Sequence, residues 1–268
     1  YLQLSFPPLH YRFKYKITSE KINGRKVYRL APKKGPGKLT ILYLHGGAYI
    51  FNSAIPHWNL ADKLMASLGC NIIYPDYPLA QESGAEDIFN MLDPIYRRLL
   101  ATTSPKDIVF VGDSSGGGLV LSLAQKMLLE GEAPPSQIIM LSPCLDISLR
   151  NPDIDDVDSV DPILSVKNLR EVSDRIFQGN GQHDYLVSPI NGPMEGLPPI
   201  SLFVGTKEIL LPDARKLKSL CEEHSVKLNY FEYEGMIHDW ILFGFPESRT
   251  AFMQVVELIR NPLRATGE

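Results

Sequence analysis

The 268-residue sequence carries only three cysteines, Cys70, Cys144 and Cys221, odd in number and far apart, so no disulfide framework is indicated. It also lacks a CxxC pair or a Cys/His cluster with metal-ligand spacing, which argues against a zinc site. Such sparing use of thiols suits a reducing compartment, and a cytoplasmic location is expected. No apolar run approaches the roughly 18 residues of a membrane span, so stable membrane insertion is not expected. An excess of positive charge is missing too: 27 Lys and Arg face 31 Asp and Glu, for a net charge of −4. Nothing global therefore recommends nucleic acid as a partner. One local stretch, His10 to Lys16, interleaves aromatic and basic residues, a pattern that also describes a half-buried strand. The sequence opens on Tyr1 rather than Met, which leaves room for a processed segment upstream.

What is present is an ordinary globular composition, 44% hydrophobic and 22% charged, in a chain long enough to bury its own core. Nearly continuous β-branched and aliphatic runs at 39–44, 71–74, 108–111, 138–141, 200–204 and 227–233 fit strands buried on both faces. Between them lie helical patterns near 57–68, 84–101, 116–130, 212–224 and 247–260. This alternation predicts an α/β fold with a mostly parallel, doubly wound sheet flanked by helices, in one domain over residues 1–268. Two stretches break it: about 1–24, and about 145–198 with a helix near 166–178. Ligands in such sheets bind beyond the carboxyl ends of the strands. Both stretches are therefore expected to form a cap over that edge. The last strand leaves an edge that could pair with a second copy, so a homodimer is considered.

After the strand at 108–111 comes Gly112-Asp113-Ser114-Ser115-Gly116-Gly117-Gly118, followed by a helical run. Gly112, Ser114 and Gly116 make a G-x-S-x-G at a strand-to-helix junction. Such a turn is tight, and glycines on either side of the serine let strand and helix approach each other. It lifts the Ser114 hydroxyl above the sheet and puts the Ser115 N–H at the positive end of the helix. The spacing is not that of a phosphate loop, and no lysine follows. Ser115 is the rival hydroxyl, one residue off the apex.

A serine hydroxyl needs a base, and the base needs an orienting acid. Of six histidines (His10, His45, His57, His183, His224 and His238), only His238 lies in a late loop just past a strand. His224 ends a predicted helix, where a cation meets the helix dipole favourably. Glu208 directly follows the strand at 200–204 and is the preferred acid. Asp213, after Pro212, is the alternative, although acids are ordinary in the first turn of a helix. Asp239 adjoins His238, but adjacent loop residues rarely point at one another. The early strand at 39–44 runs into His45-Gly46-Gly47-Ala48-Tyr49. Gly46, Gly47 and Ser115 offer backbone N–H groups for an oxyanion, each worth about 3 kcal/mol in a transition state. His45 is expected to fix this loop by hydrogen bonding.

Taken together these segments resemble the hormone-sensitive-lipase-like esterases of the α/β-hydrolase superfamily. Gly112 to Gly117 resembles the family's GDSxGG, His45 to Ala48 its HGGG, and Tyr77-Pro78-Leu79-Ala80-Gln81-Glu82 its Y-R-L-A-P-E, in matching order over about residues 40 to 240. The resemblance implies an α/β-hydrolase fold and a Ser114–Glu208–His238 triad. It also implies an oxyanion hole at Gly46, Gly47 and Ser115, a cap from N-terminal and central segments, and no cofactor. The activity implied is hydrolysis of short-chain, acetyl-like esters through an acyl-enzyme, with a small acyl ester as the partner. An amidase or deacetylase with the same triad, or a non-catalytic small-molecule receptor, are the alternatives. Three positions depart from the pattern: Ala48 for the last glycine, Pro78 and Gln81 for arginine and proline, and Glu208 for the usual aspartate. Asp153, Asp155, Asp156, Asp158 and Asp161 crowd a short stretch but lack calcium-loop spacing, and a solvated cap segment is expected instead.

Overall fold

A computed structural model describes residues 3–176 and 185–261. The C-terminal tip of the helix expected near 166–178, and His183, lie outside the described residues.

The elements follow in the order α1 (Tyr11–Lys14), β1 (Tyr15–Ile22), β2 (Arg25–Pro32), β3 (Thr40–Leu44), α2 (Ile55–Leu68), β4 (Asn71–Pro75), α3 (Ala85–Leu100), β5 (Ile108–Asp113), α4 (Ser114–Leu129), β6 (Gln137–Leu141), α5 (Asp155–Asp158), α6 (Val166–Ile176), β7 (Ile200–Lys207), α7 (Leu211–Glu223), β8 (Leu228–Ile237) and α8 (Pro246–Arg260). They build an eight-stranded sheet of order β1-β2-β4-β3-β5-β6-β7-β8. The strands β4, β3, β5, β6, β7 and β8 run parallel, while β1 and β2 add an antiparallel edge.

The parallel strands are apolar throughout because successive side chains enter opposite layers. Leu42, Leu44, Phe110, Ile138, Met140 and Leu202 face one core with α3, α4 and α7. Their neighbours Ile41, Tyr43, Val109, Val111, Ile139 and Phe203 face the other, with α2 and α8. Helix α3 shows the matching period of burial, with Ile88, Leu92, Ile95 and Leu99 inward. Helix α4 runs through the middle and is buried at every position from Ser114 to Gln125.

The first departure from expectation is at the N-terminus. Residues 15–22, assigned above to a cap, form the edge strand β1, paired in full register with β2. The joint is Asn23-Gly24, with φ of 48° and 81°. This left-handed pair is what a tight hairpin turn requires. Only the segment before Tyr15 lies over the fold. It is pinned by Leu4 N–H to the Ser53 carbonyl at 2.6 Å, Trp58 Nε1–H to the Leu4 carbonyl at 2.7 Å and the Tyr11 hydroxyl to the Trp58 carbonyl at 3.0 Å.

The central insertion has a use for its acids. Asp158 accepts the Val166 N–H that opens α6, and Asp161 accepts those of Ile163, Leu164 and Ile209. The last of these ties the insertion to the turn that follows β7. Among the described residues no helix is long and apolar enough to cross a membrane.

Candidate active site

Four strand ends converge at the carboxyl edge of the sheet: His45 follows β3, Ser114 follows β5, Glu208 follows β7 and His238 follows β8. Ser114 stands at the junction of β5 and α4 with φ of 50°, a left-handed conformation that a non-glycine residue holds only under constraint. The constraint is the crossing of backbones. A Cβ on Gly112 would lie 2.3 Å from the Gly116 carbonyl oxygen, and one on Gly116 would lie 2.1 Å from that of Leu44. The turn is thereby sharp enough to present Ser114, which retains 7% exposure.

His238 Nε2 lies 3.0 Å from Ser114 Oγ, and His238 Nδ1 lies 2.7 Å from Glu208 Oε2. Glu208 is held in turn through Oε1, which accepts the Gly205 N–H at 2.6 Å and the Ser142 hydroxyl at 2.9 Å. All three members are buried, so their contacts are little screened by water. Burial alone would depress the pKa of His238. The Asp239 and Glu208 carboxylates outweigh it and lift the imidazole to about 9. Asp213 is elsewhere: it hydrogen-bonds Asn151 at 2.9 Å. Asp239, set aside above as a mere sequence neighbour, brings Oδ2 to 3.3 Å from His238 Nε2. The left-handed backbone at Asp239, φ 54°, folds this neighbour back.

The loop after β3 is built on Asp113, whose carboxylate had no assigned role. It accepts the Tyr43 hydroxyl at 2.5 Å and the Gly46 N–H at 2.7 Å, and lies 3.2 Å from His57 Nε2. His57 Nδ1 accepts the Ala54 N–H at 2.8 Å, so both of its ring nitrogens are engaged. Although burial opposes ionisation, His57 and these donors hold Asp113 below the ordinary carboxylate range. The consequence is a correction. The Gly46 amide, one of three expected to meet an oxyanion, is committed to Asp113. The amides of Gly47, Ala48 and Ser115 have no acceptor among the described residues, and all three residues line the cavity described below. A signal for Asp113 was available in its place beside the elbow serine.

His45 behaves as a loop anchor. Its Nδ1 meets the Gly46 carbonyl at 2.7 Å, it stacks on Tyr77 at 4.5 Å, and burial lowers its pKa to about 4. The segment from Tyr77 to Glu82 supports the same loop from outside. The Tyr77 hydroxyl donates to the His45 carbonyl, the Ala80 N–H to the Tyr49 carbonyl and Gln81 Nε2 to the Ile50 carbonyl. Gln81 thus contributes a strap of its own where the usual pattern has proline.

Ser114, His238 and Asp239 open into a cavity of about 390 Å³. Its walls are mostly apolar. Phe51 comes from the loop after β3, Pro56 from the start of α2, Ile163, Leu169 and Val172 from the central insertion, and Leu242 and Phe243 from the turn before α8. Gln3 closes it from the N-terminal segment.

An eight-stranded sheet with a serine elbow, and histidine and carboxylate on later strand ends, defines an α/β hydrolase. The family model described as the alpha/beta hydrolase fold matches residues 41–242. An esterase of Acinetobacter venetianus is 33% identical over 225 residues, covering 81% of this chain and 73% of that protein. An acetyl-hydrolase of Streptomyces hygroscopicus is 29% identical over 240 residues, covering 88% and 79%. Among solved structures, an esterase from the bacterial hormone-sensitive lipase family superposes with a TM-score of 0.82 at 27% identity, over 92% of this chain and 84% of that one. The chain belongs to the α/β-hydrolase fold family and, within it, to the hormone-sensitive-lipase-like esterases. It is a carboxylic ester hydrolase.

Proposed function

We propose that the protein hydrolyses esters of short acyl chains through an acyl-enzyme on Ser114. The observation that carries this reading is the unbroken hydrogen-bonded chain from Ser114 Oγ through His238 to Glu208, set in an apolar cavity. In this scheme His238 takes the Ser114 proton as Oγ attacks the ester carbonyl, and returns it to the leaving alcohol. Glu208 orients the imidazole and stabilises its cation. Water activated by His238 then releases the acid and restores Ser114. The amides of Gly47, Ala48 and Ser115 are the oxyanion donors in this reading, with Gly46 serving to hold the loop. An acetyl-hydrolase among the relatives supports a small acyl group, and a cavity of about 390 Å³ leaves room for longer chains. The N-terminal segment and the central insertion act as its cap within a single domain.

The test is turnover of nitrophenyl esters from acetyl to dodecanoyl by the parent protein and by Ser114→Ala, with an acyl nitroanilide run beside them. Loss of at least about 10³-fold in kcat on substitution is expected, with the optimum at short chains. Equal turnover by the two proteins would end the acyl-enzyme reading, and preference for the anilide would redirect it to an amide.

A further inference from the structure

A histidine acting as base usually has one carboxylate behind it; His238 has two around it. Glu208 Oε2 meets Nδ1 at 2.7 Å, on the far side of the ring from the serine. Asp239 Oδ2 lies 3.3 Å from Nε2, the same nitrogen that lies 3.0 Å from Ser114 Oγ. We propose that Asp239 is a second positioning residue for the base, an anchoring charge on the reacting side of the imidazole that stabilises its cation and moves turnover to alkaline pH. The proposal rests on the esterase reading above.

Its backbone is fixed on both sides. The Asp239 N–H donates to Ser142 Oγ at 3.1 Å, and its carbonyl accepts the Leu242 N–H at 2.9 Å. Ser142 is the residue that also donates to Glu208, so one hydroxyl connects the backbone of one anion to the side chain of the other. The side chains of His238 and Asp239 are 5% and 13% exposed, which leaves little water to screen them.

The charges facing this pair come from several elements. Glu208, after β7, and Asp161, from the central insertion, act with Asp239 on His238. Asp113 at the end of β5 and His57 in α2 act on Asp239, as does Glu208, and Tyr43 of β3 lies within its field. The two adjacent carboxylates, with Asp161 acting from farther off, outweigh its burial. Asp239 itself is raised by burial, to about 8, against the attraction of His238.

The proton count closes without Asp239 changing its own. As Ser114 Oγ bonds to the ester carbonyl carbon, its proton passes to Nε2, the nitrogen that lies 3.3 Å from Asp239 Oδ2. That proton goes to the leaving alcohol as the C–O bond breaks. In the second half-reaction water gives its proton to Nε2, which passes it to Ser114. Where it is ionised, Asp239 lowers the energy of the imidazolium in both halves. The same stabilisation keeps the resting base protonated to a higher pH, which costs activity near neutrality.

Asp239→Asn tests the charge alone, since asparagine tolerates the left-handed backbone as aspartate does. kcat/KM on nitrophenyl acetate should be followed from pH 5.5 to 10. We expect the acid limb to move down by about one pH unit and the alkaline plateau to fall by about 3- to 30-fold, so that the two profiles cross. A uniform drop with an unmoved midpoint would reduce Asp239 to a structural role and overturn the proposal. An NMR titration of the His238 imidazole, with and without Asp239→Asn in Ser114→Ala, reads the same midpoint without turnover. A lower midpoint there supports the proposal even if no ester is hydrolysed, the result that would instead sink the esterase reading.

Discussion

Asp213 begins α7 with its carboxyl group sealed from water at 1% exposure, one oxygen bound to Asn151 and the other without a partner among the described residues. Burial pushes its pKa up to about 6, beyond what Asn151 can offset. An acid raised in the native state binds its proton more tightly there than in the unfolded chain. Its contribution to stability is therefore present at low pH and declines as pH rises from about 4 to about 6. Above that window the buried anion costs about 3 kcal/mol. Asp213→Asn should gain stability of that order at pH 7 and flatten the dependence between pH 4 and 6. Urea denaturation at a series of pH values measures both. Parallel curves for the two proteins would show that Asp213 is not the group responsible.

At the scale of elements, the site depends on how closely α4 follows β5 and passes β3. Gly116 is the contact point, since a side chain there would strike the Leu44 carbonyl at 2.1 Å. The obstacle is backbone at the end of β3, next to the loop that carries Gly46, Gly47 and Ala48. Gly116→Ala must therefore move α4 or that loop. We expect at least a tenfold loss of kcat and a lower Tm, because displacements near 1 Å in a reacting geometry cost about 10²-fold. Steady-state kinetics with a thermal melt decides. Unchanged kcat would mean that the elbow tolerates more separation than its contacts indicate.

The cavity belongs to the whole molecule, because no single segment encloses it. Ser114 and His238 come from the sheet edge, Leu169 and Val172 from α6 in the central insertion, and Gln3 from the N-terminal segment. Leu169→Trp adds bulk to the wall supplied by the insertion, away from the reacting groups. Octanoyl esters should lose at least about tenfold in kcat/KM while acetyl esters stay within about threefold, as expected when volume rather than chemistry changes. Equal losses across the series would show that α6 does not bound the acyl site.

Much of this was legible in the order of residues. Fully buried parallel strands must be apolar on both faces, so β3 to β8 stood out as runs, and the glycines around Ser114 marked a turn that only small residues permit. Ser114, Glu208 and His238 could be brought together in the reading because each directly follows a strand, and strand ends of a parallel sheet share one edge. The β1–β2 hairpin was signalled by Asn23-Gly24 but was hidden by its mixed, half-exposed pattern. What the tertiary structure alone decided concerns direction rather than position along the chain. A left-handed backbone turned Asp239 back towards its own neighbour, and the fold of the loop after β3 spent the Gly46 amide on Asp113. Those outcomes depend on dihedral angles and on groups brought together from different strands. Residue type and spacing do not specify either.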